Sequence, residues 1–134
     1  MARLIVNIDV DDLKRAVAFY EVGLGFRFVR HLFDGSVAEM AFEATKIYLL
    51  EKAAGTPAAA GAARDYGRHW TPVHFDVVVD DLDAAIERAL AAGAVPEGAV
   101  GRHEWGRLAG FADPFGHGFC LIQFVGAGYD AVAE

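Results

Sequence analysis

Val10-Asp11-Asp12-Leu13 is the most informative stretch of this chain, because the same motif returns at a constant offset as Val79-Asp80-Asp81-Leu82. Apolar, mostly β-branched residues precede each copy, and a helical spacing of apolar residues follows it, so each motif marks the passage from a strand into a helix. An aspartate suits that junction, since its carboxylate accepts hydrogen bonds from the first free amides of a helix. Chance recurrence is the alternative, but the shared order of elements around the two copies favours a duplicated supersecondary unit.

Around the first copy, the sequence predicts a strand over 4–10 and a helix that is capped by Asp11 or Asp12 and is ended by Gly23 and Gly25. Three further strands are predicted over 26–33, 36–42 and 46–51. Asp34-Gly35 is expected to form a two-residue turn between the first two of these strands. The order of this module, about 3–52, is therefore βαβββ.

The second copy repeats this order in a module of about 72–126. A strand over 73–79 leads into a helix that ends at Ala92 and is closed by Gly93, and three strands follow near 99–104, 107–112 and 118–125. Residues 53–71 lack periodicity and predict a linker, in which 62–66 is the one candidate for a short helix. Residues 127–134 read as a tail. We expect an α+β fold with a single domain over 1–126, because pairing the two sheets buries the apolar face of each.

Composition narrows the classes of function. The chain has 134 residues, 54% of them hydrophobic, with a formal net charge of −7. That charge disfavours nucleic acid and anionic lipid as partners, since both attract basic surfaces, and suits a cationic or neutral small molecule. No apolar run approaches the roughly 20 residues of a membrane span, and no signal-peptide pattern is present. Cys120 is the only cysteine, so no internal disulfide is expected and a cytoplasmic location is predicted.

Five short motifs follow one another along the chain: Val10-Asp11-Asp12-Leu13, Phe19-Tyr20, Leu24-Gly25-Phe26, Trp105-Gly106-Arg107 and Phe111-Ala112-Asp113-Pro114-Phe115-Gly116. In this order and spacing they resemble the signature of the vicinal oxygen chelate superfamily, which contains glyoxalases, bleomycin-resistance proteins and dioxygenases. The resemblance runs from Leu4 to Val125. It is specific to the superfamily and does not single out a member.

The resemblance implies two βαβββ modules whose mixed sheets curl around a cleft, the glyoxalase/bleomycin resistance/dihydroxybiphenyl dioxygenase fold, commonly within a homodimer. In metal-dependent members, the first and fourth strands of each module supply ligands that point into this cleft. Carried onto this chain, the first-strand positions are Ile5 and His74. The fourth-strand positions are Cys120 and Tyr48, or Leu49 if the register slips by one residue.

These positions predict no regular metal site. Imidazole and carboxylate are normal ligands of Mn, Fe, Ni and Zn, but Ile5 has no donor atom and Cys120 stands where the superfamily has a carboxylate. A stable catalytic site needs about three protein ligands, so we expect no cofactor. One irregular set of ligands remains, namely His74, Glu51 and Cys120, because Glu51 faces the cleft if Leu49 does.

Each candidate side chain also has a purely structural interpretation. Trp105 is expected to stack on a planar ligand and Glu104 to take a cationic group, or else the tryptophan packs at a strand end beside a solvated glutamate. His74 is either a cleft residue or a core histidine with satisfied hydrogen bonds. Cys120, between apolar neighbours, is either a small buried side chain or a reactive thiol.

Three hypotheses about function follow. The leading one is a metal-free protein that binds a small organic molecule in the cleft, as the sequestering resistance proteins of the superfamily do. The second is an enzyme, either a lyase, isomerase or dioxygenase with an irregular metal site, or an acid/base catalyst that uses His74. The third is a non-catalytic interaction subunit whose cleft is filled by its own side chains.

Overall fold

The computed structural model describes residues Met1–Glu134. The chain forms two compact units, Met1–Gly67 and Arg68–Glu134. Each unit contains one four-stranded mixed sheet and one α-helix in the order βαβββ. The duplicated α+β architecture predicted from the repeated motif is therefore confirmed.

The first unit is built from β1 (Ile5–Val10), α1 (Leu13–Ala18), a π-helical turn (Phe19–Gly23), β2 (Arg27–Leu32), β3 (Val37–Phe42) and β4 (Thr45–Glu51). The strands lie in the order β1-β4-β3-β2. β1 runs parallel to β4, and the other neighbours are antiparallel.

The second unit is built from β5 (Phe75–Val78), α2 (Leu82–Ala92), β6 (Val95–His103), β7 (Gly106–Ala112), β8 (Gly118–Phe124) and a 3-10 helix (Gly128–Val132). The strand order β5-β8-β7-β6 repeats that of the first sheet, with β5 parallel to β8. β6 begins four residues before the predicted strand because the chain pairs with β7 directly after α2. No helix is long and apolar enough to cross a bilayer.

The strands alternate between a face that carries the helix and a face that does not. In the first unit, Val10 and Leu49 point to the helix side and are fully buried. In the second unit, Leu82 and Ala89 of α2 are fully buried. Burying one such aliphatic side chain stabilises the fold by roughly 1.5–3 kcal/mol. We call the opposite surfaces the first and second helix-free faces, and these faces carry the sites described below.

Both helices begin directly after the aspartates of the repeated motif, as predicted, and in each copy the second aspartate is the N-cap. Asp12 accepts a hydrogen bond from the amide of Arg15 at 3.0 Å, and Asp81 accepts one from the amide of Ala84 at 3.1 Å. A left-handed Gly93, with φ of 111°, ends α2 and allows its last carbonyls to be capped.

The loop between β2 and β3 is wider than the predicted Asp34-Gly35 turn. It spans residues 33–36, and Phe33, Asp34 and Gly35 all have positive φ. The amide and the hydroxyl of Ser36 both donate to the carbonyl of Phe33, which closes this wider loop. The side chain of Phe33 is left 78% exposed.

The segment predicted as a linker is largely part of the first unit. Backbone hydrogen bonds join Gly55 to Arg64 and Ala58 to Ala62, and the predicted short helix over 62–66 is not formed. The guanidinium of Arg64 reaches back to Asp9 at 2.8 Å, so an ion pair ties this loop to β1.

Gly106 provides a test of sheet packing in the second unit. A Cβ atom at this position would lie 2.3 Å from the carbonyl oxygen of Gln123, and the backbone of β8 cannot give way without breaking its pairing. We expect Gly106→Ala to lower the free energy of unfolding by about 2 kcal/mol or more, measured by urea denaturation. Gly110→Ala on the same strand is the control, because its nearest contact would be 3.4 Å away. Equal losses in both variants would contradict this account.

Candidate functional site

A cavity of about 200 Å³ opens on the second unit. Its walls come from β6, β7 and β8 and from the segment that precedes β5, and they include Arg68, Trp70, His74, Glu97, Phe119 and Cys120. Two of the positions implied by the family resemblance, His74 and Cys120, therefore line one cavity. The cavity also contains side chains that were not predicted from the sequence, Arg68 and Glu97 among them.

Asp76 joins His74 and Cys120 in a compact cluster on the second helix-free face. One potential ligand atom from each of the three side chains lies within 4.8 Å of the other two. The imidazole Nε2 of His74 is 3.4 Å from a carboxylate oxygen of Asp76. The cluster follows from strand geometry, because residues two apart on a strand share a face and Asp76 is paired with Cys120 across β5 and β8.

The thiol of Cys120 is held in its protonated form. Burial raises its pKa above the ordinary value of 9.0, and the negative charge of Asp76 and a hydrogen bond to that carboxylate raise it further. At neutral pH the thiol therefore donates to Asp76 rather than acting as a nucleophile.

Arg68 and Glu97 form a two-pronged ion pair at the edge of the cavity. The guanidinium Nε lies 2.5 Å from one carboxylate oxygen, and Nη2 lies 3.0 Å from the other. Hydrogen bonding to Arg68 lowers the pKa of Glu97, which keeps the carboxylate charged. A Cβ on Gly118 would come within 2.7 Å of the guanidinium, so the glycine provides the space that Arg68 occupies.

A contact between two histidines holds the segment before β5, which forms one wall of the cavity, against the turn before β8. His69 Nε2 lies 3.2 Å from Nδ1 of His117, and the amide of His69 donates to the carbonyl of Gly116. The turn that carries His117 is itself closed by Asp113, whose carboxylate accepts from the amides of Phe115 and His117. The pair thereby positions Trp70, which is 81% exposed beside the cavity.

Glu104 and Trp105 do not line this cavity. The indole of Trp105 is stacked on His103 at a centroid distance of 4.6 Å, and it also contacts Tyr129 of the 3-10 helix at 5.3 Å. The predicted tail is thus packed against the β6–β7 turn. Packing at a strand end, the structural alternative for Trp105, is the arrangement observed.

On the first unit, the structure decides between the two registers proposed for β4. Tyr48 and Ile5 line a cavity of about 400 Å³, whereas Leu49 is fully buried on the helix side. Glu51 shares the helix side, where its carboxylate accepts from the amide of Leu13 at 2.8 Å. The alternative register, in which Leu49 and Glu51 would face the cleft, is therefore wrong. The carboxylate of Glu51 is bound instead at the N-terminus of α1.

Asp76 was detectable from the sequence, since it lies two residues after His74 on the same predicted strand. Arg68 and Glu97 could not be predicted as site residues. Arg68 lies in the predicted linker, and Glu97 precedes the predicted start of its strand. Their approach depends on loop geometry that no local pattern encodes.

Comparisons with known proteins agree with this architecture. A family model described as a glyoxalase-like domain matches residues 5–122. An uncharacterised protein of Mycobacterium bovis is 46% identical over 54 residues, which are 40% of this chain and 36% of that protein. An uncharacterised protein of Mycobacterium tuberculosis is also 46% identical over 54 residues, which are 40% of this chain and 32% of that protein. The match thus spans about a third of the length of these curated relatives.

Solved structures share the fold over almost the whole chain. The fosfomycin resistance protein FosX from Mesorhizobium loti aligns with a TM-score of 0.71 and 19% identity over 98% of each chain. The hypothetical protein SA1046 from S. aureus aligns with a TM-score of 0.71 and 19% identity, over 92% of this chain and 97% of that one. A glyoxalase/bleomycin resistance protein/dioxygenase from Nocardioides aligns with a TM-score of 0.63 and 21% identity, over 96% of this chain and 87% of that one.

The reactivity of Cys120 tests the cluster directly, because it is the only thiol in the chain. Its alkylation by iodoacetamide should be slow at pH 8 and should accelerate as the pH rises toward the raised pKa. Asp76→Asn removes one cause of the raised pKa and should make alkylation at pH 8 several times faster, as followed by intact mass. Asp80→Asn, which removes an equal charge from an exposed neighbour, should leave the rate unchanged. The same rate in Asp76→Asn and the unmodified chain would contradict the arrangement.

Proposed function

Because the chain belongs to the glyoxalase-like domain family, we propose that it binds a small organic molecule in the cavity lined by His74 and Cys120. The observation that carries this proposal is the make-up of that cavity. An exposed indole, that of Trp70, stands beside ionisable side chains from several strands. Aromatic surface combined with a few placed polar groups is typical of ligand sites.

The excess of acidic residues in the second unit favours a cationic ligand. The second unit contains ten acidic residues and only four arginines and lysines, so most of the net charge of the chain lies there. Within the site, Arg68 neutralises Glu97, while Asp76 faces only a histidine and a thiol. A planar cation would stack on Trp70 and pair with Asp76.

This proposal makes no use of a metal, and catalysis is not part of it. A non-catalytic interaction subunit would have its cleft filled by its own side chains. The open cavities on both units favour ligand binding instead. Assembly as a homodimer and a cytoplasmic location stay predictions.

An aromatic cation with a permanent charge and its uncharged analogue test the proposal. We expect 1-methylquinolinium to quench tryptophan fluorescence saturably and to bind several times more tightly than quinoline at pH 7.5. Trp70→Phe should abolish the quenching, while Trp105→Phe, which alters the packed tryptophan, should retain it. Asp76→Asn should remove the preference for the cation. Equal affinities for the two compounds, or quenching that persists in Trp70→Phe, would argue against this site.

One observation favours a second candidate function, that of a metal-dependent enzyme. The imidazole, carboxylate and thiol of His74, Asp76 and Cys120 lie close enough together to share an ion, and such donors suit Zn, Fe or Ni. Asp76 would then take the place that the sequence analysis gave to Glu51. When bound, a metal would supply Lewis acidity toward a substrate oxygen and favour the thiolate form of Cys120.

Elemental analysis separates the two candidates. Protein purified without a tag or chelator is incubated with Mn, Fe, Ni, Co or Zn, desalted and analysed by mass spectrometry. The metal-free proposal expects substoichiometric metal under all conditions. Near-stoichiometric retention that is lost in His74→Ala and Cys120→Ser, but kept in His103→Ala, would overturn it and establish the metal site.

A further inference from the structure

The histidine pair beside the cavity of the second unit joins a rigid turn to an irregular segment. His117 lies in the turn before β8, where the buried carboxylate of Asp113 accepts from the amides of Phe115 and His117 at 2.8 and 2.9 Å. The amide of Asp113 donates back to the carbonyl of His117 at 2.8 Å. His69, in contrast, lies within residues 68–74, which form neither a helix nor a strand. The turn is thus fixed by its own hydrogen bonds, and the segment is positioned by its contacts with the turn.

The contact between the two rings is a hydrogen bond that depends on protonation. His69 Nε2 lies 3.2 Å from Nδ1 of His117, and the ring planes are nearly perpendicular, at 82°. One nitrogen must carry a proton and donate it, while the other must be bare and accept it. One additional proton leaves this arrangement intact, because an imidazolium still donates to a neutral ring. When both rings are charged, two N–H groups face each other and the hydrogen bond is lost.

Acid therefore favours separation of the two rings. Histidine is the side chain whose charge ordinarily changes between roughly pH 5 and pH 8. While the hydrogen bond is made, the pair holds one extra proton, whereas two separated rings hold two. A state that binds one proton more gains up to about tenfold in its equilibrium for each unit by which the pH falls.

The ion pair next to His69 keeps its charge over the same range. Hydrogen bonding to Arg68 lowers the pKa of Glu97, so this carboxylate stays charged while the pH falls through the histidine range. The pKa of Arg68 is raised by that hydrogen bond and by the nearby charges of Glu97 and Asp113. Release at His69 therefore leaves the segment attached at Arg68 on one side and at β5 on the other.

The released segment would carry part of the cavity wall with it. Arg68, Trp70 and Thr71 line the cavity, and Trp70 follows His69 directly. The amide of His69 also donates to the carbonyl of Gly116, but at 3.3 Å this is a long backbone hydrogen bond. Movement of His69 away from the turn therefore displaces the indole of Trp70 from beside the cavity.

We propose that the His69–His117 pair is an acid-sensitive latch, which holds the segment 68–74 against the cavity at neutral pH and releases it when both rings are protonated. Its effect on ligand binding rests on the proposed function, since that function uses Trp70 as the aromatic surface of the site. The motion itself does not rest on it, because it follows from the two rings and the turn.

Backbone dynamics test the latch in the full chain without a ligand. The 15N–1H heteronuclear NOE of the amides within 68–74 and of the Trp70 indole is measured at pH 7.0 and at pH 5.0, and the imidazole signals are titrated in the same samples. We expect an ordered segment at pH 7.0 and a mobile one at pH 5.0, with the change following the second protonation of the pair. A segment that is equally ordered at both pH values would overturn the proposal, and so would unfolding of the whole chain at pH 5.0.

Two substitutions of His117 should have opposite effects. In His117→Asn, the side-chain oxygen comes near the position of Nδ1 and accepts from His69 whether or not that ring is charged, so the segment should stay ordered at both pH values. His117→Ala removes the partner, and the segment should already be mobile at pH 7.0. His103→Asn, which removes an exposed histidine of β6, is the control and should respond to pH as the unmodified chain does. Mobility at pH 5.0 that persists in His117→Asn would contradict the latch.

Binding of 1-methylquinolinium separates the latch from the proposed function, because the charge of this cation does not change with pH. Its affinity should fall several times between pH 7.0 and pH 5.0 in the unmodified chain and stay nearly constant in His117→Asn. If the dynamics change as expected but the compound binds at neither pH, the latch is supported and the proposed function fails. An equal fall in affinity in both proteins would mean that another group titrates, and it would overturn the regulation by this pair.

Discussion

Each helix of this fold is held by a side chain from the end of the fourth strand of its unit. Glu51 on β4 accepts from the amide of Leu13, and Gln123 on β8 accepts from the amide of Leu82, both at 2.8 Å. These oxygens satisfy amides that a helix start cannot pair by itself. They also fix the register of the fourth strand, since a slip of one residue would turn every side chain to the other face. Which residues lie on the helix-free faces therefore depends on these two hydrogen bonds.

Once the register is fixed, the two units present comparable rows of residues across their sheets. Each row contains one residue from every strand of its sheet, with neighbours paired across adjacent strands. The first row is Asn7, Tyr48, Glu39 and Arg30, and the second row is Asp76, Cys120, Gly110 and Glu97. The duplicated scaffold thus carries two different sets of side chains. The first row holds an internally paired carboxylate, that of Glu39, and the second holds a cluster of metal-type donors beside an open glycine position.

The sequence was sufficient for the fold because its signals are local. The repeated Asp-Asp-Leu motif, the capping aspartates and the alternation within strands each involve residues close together in the chain. The sites required non-local information. The sequence predicts Tyr48 as the cleft residue but leaves Leu49 open until the hydrogen bond of Glu51 to α1 is known. No pattern in β2 predicts the bulge that pairs Arg30 with Glu39. Both interpretations of Trp105 stayed open in the sequence, because no local pattern predicts that the 3-10 helix of the C-terminal segment packs against its indole.

The state of Cys120 has a consequence for the chemical durability of the protein. Oxidation by peroxide and exchange with disulfides both proceed through the thiolate, and the neighbouring carboxylate of Asp76 opposes its formation. The chain therefore carries its only sulfhydryl in a protected form, shielded first by burial and further by the charge of Asp76. Covalent dimers linked through this sulfur are disfavoured, and oxidation of this residue in the cavity of the second unit is slowed.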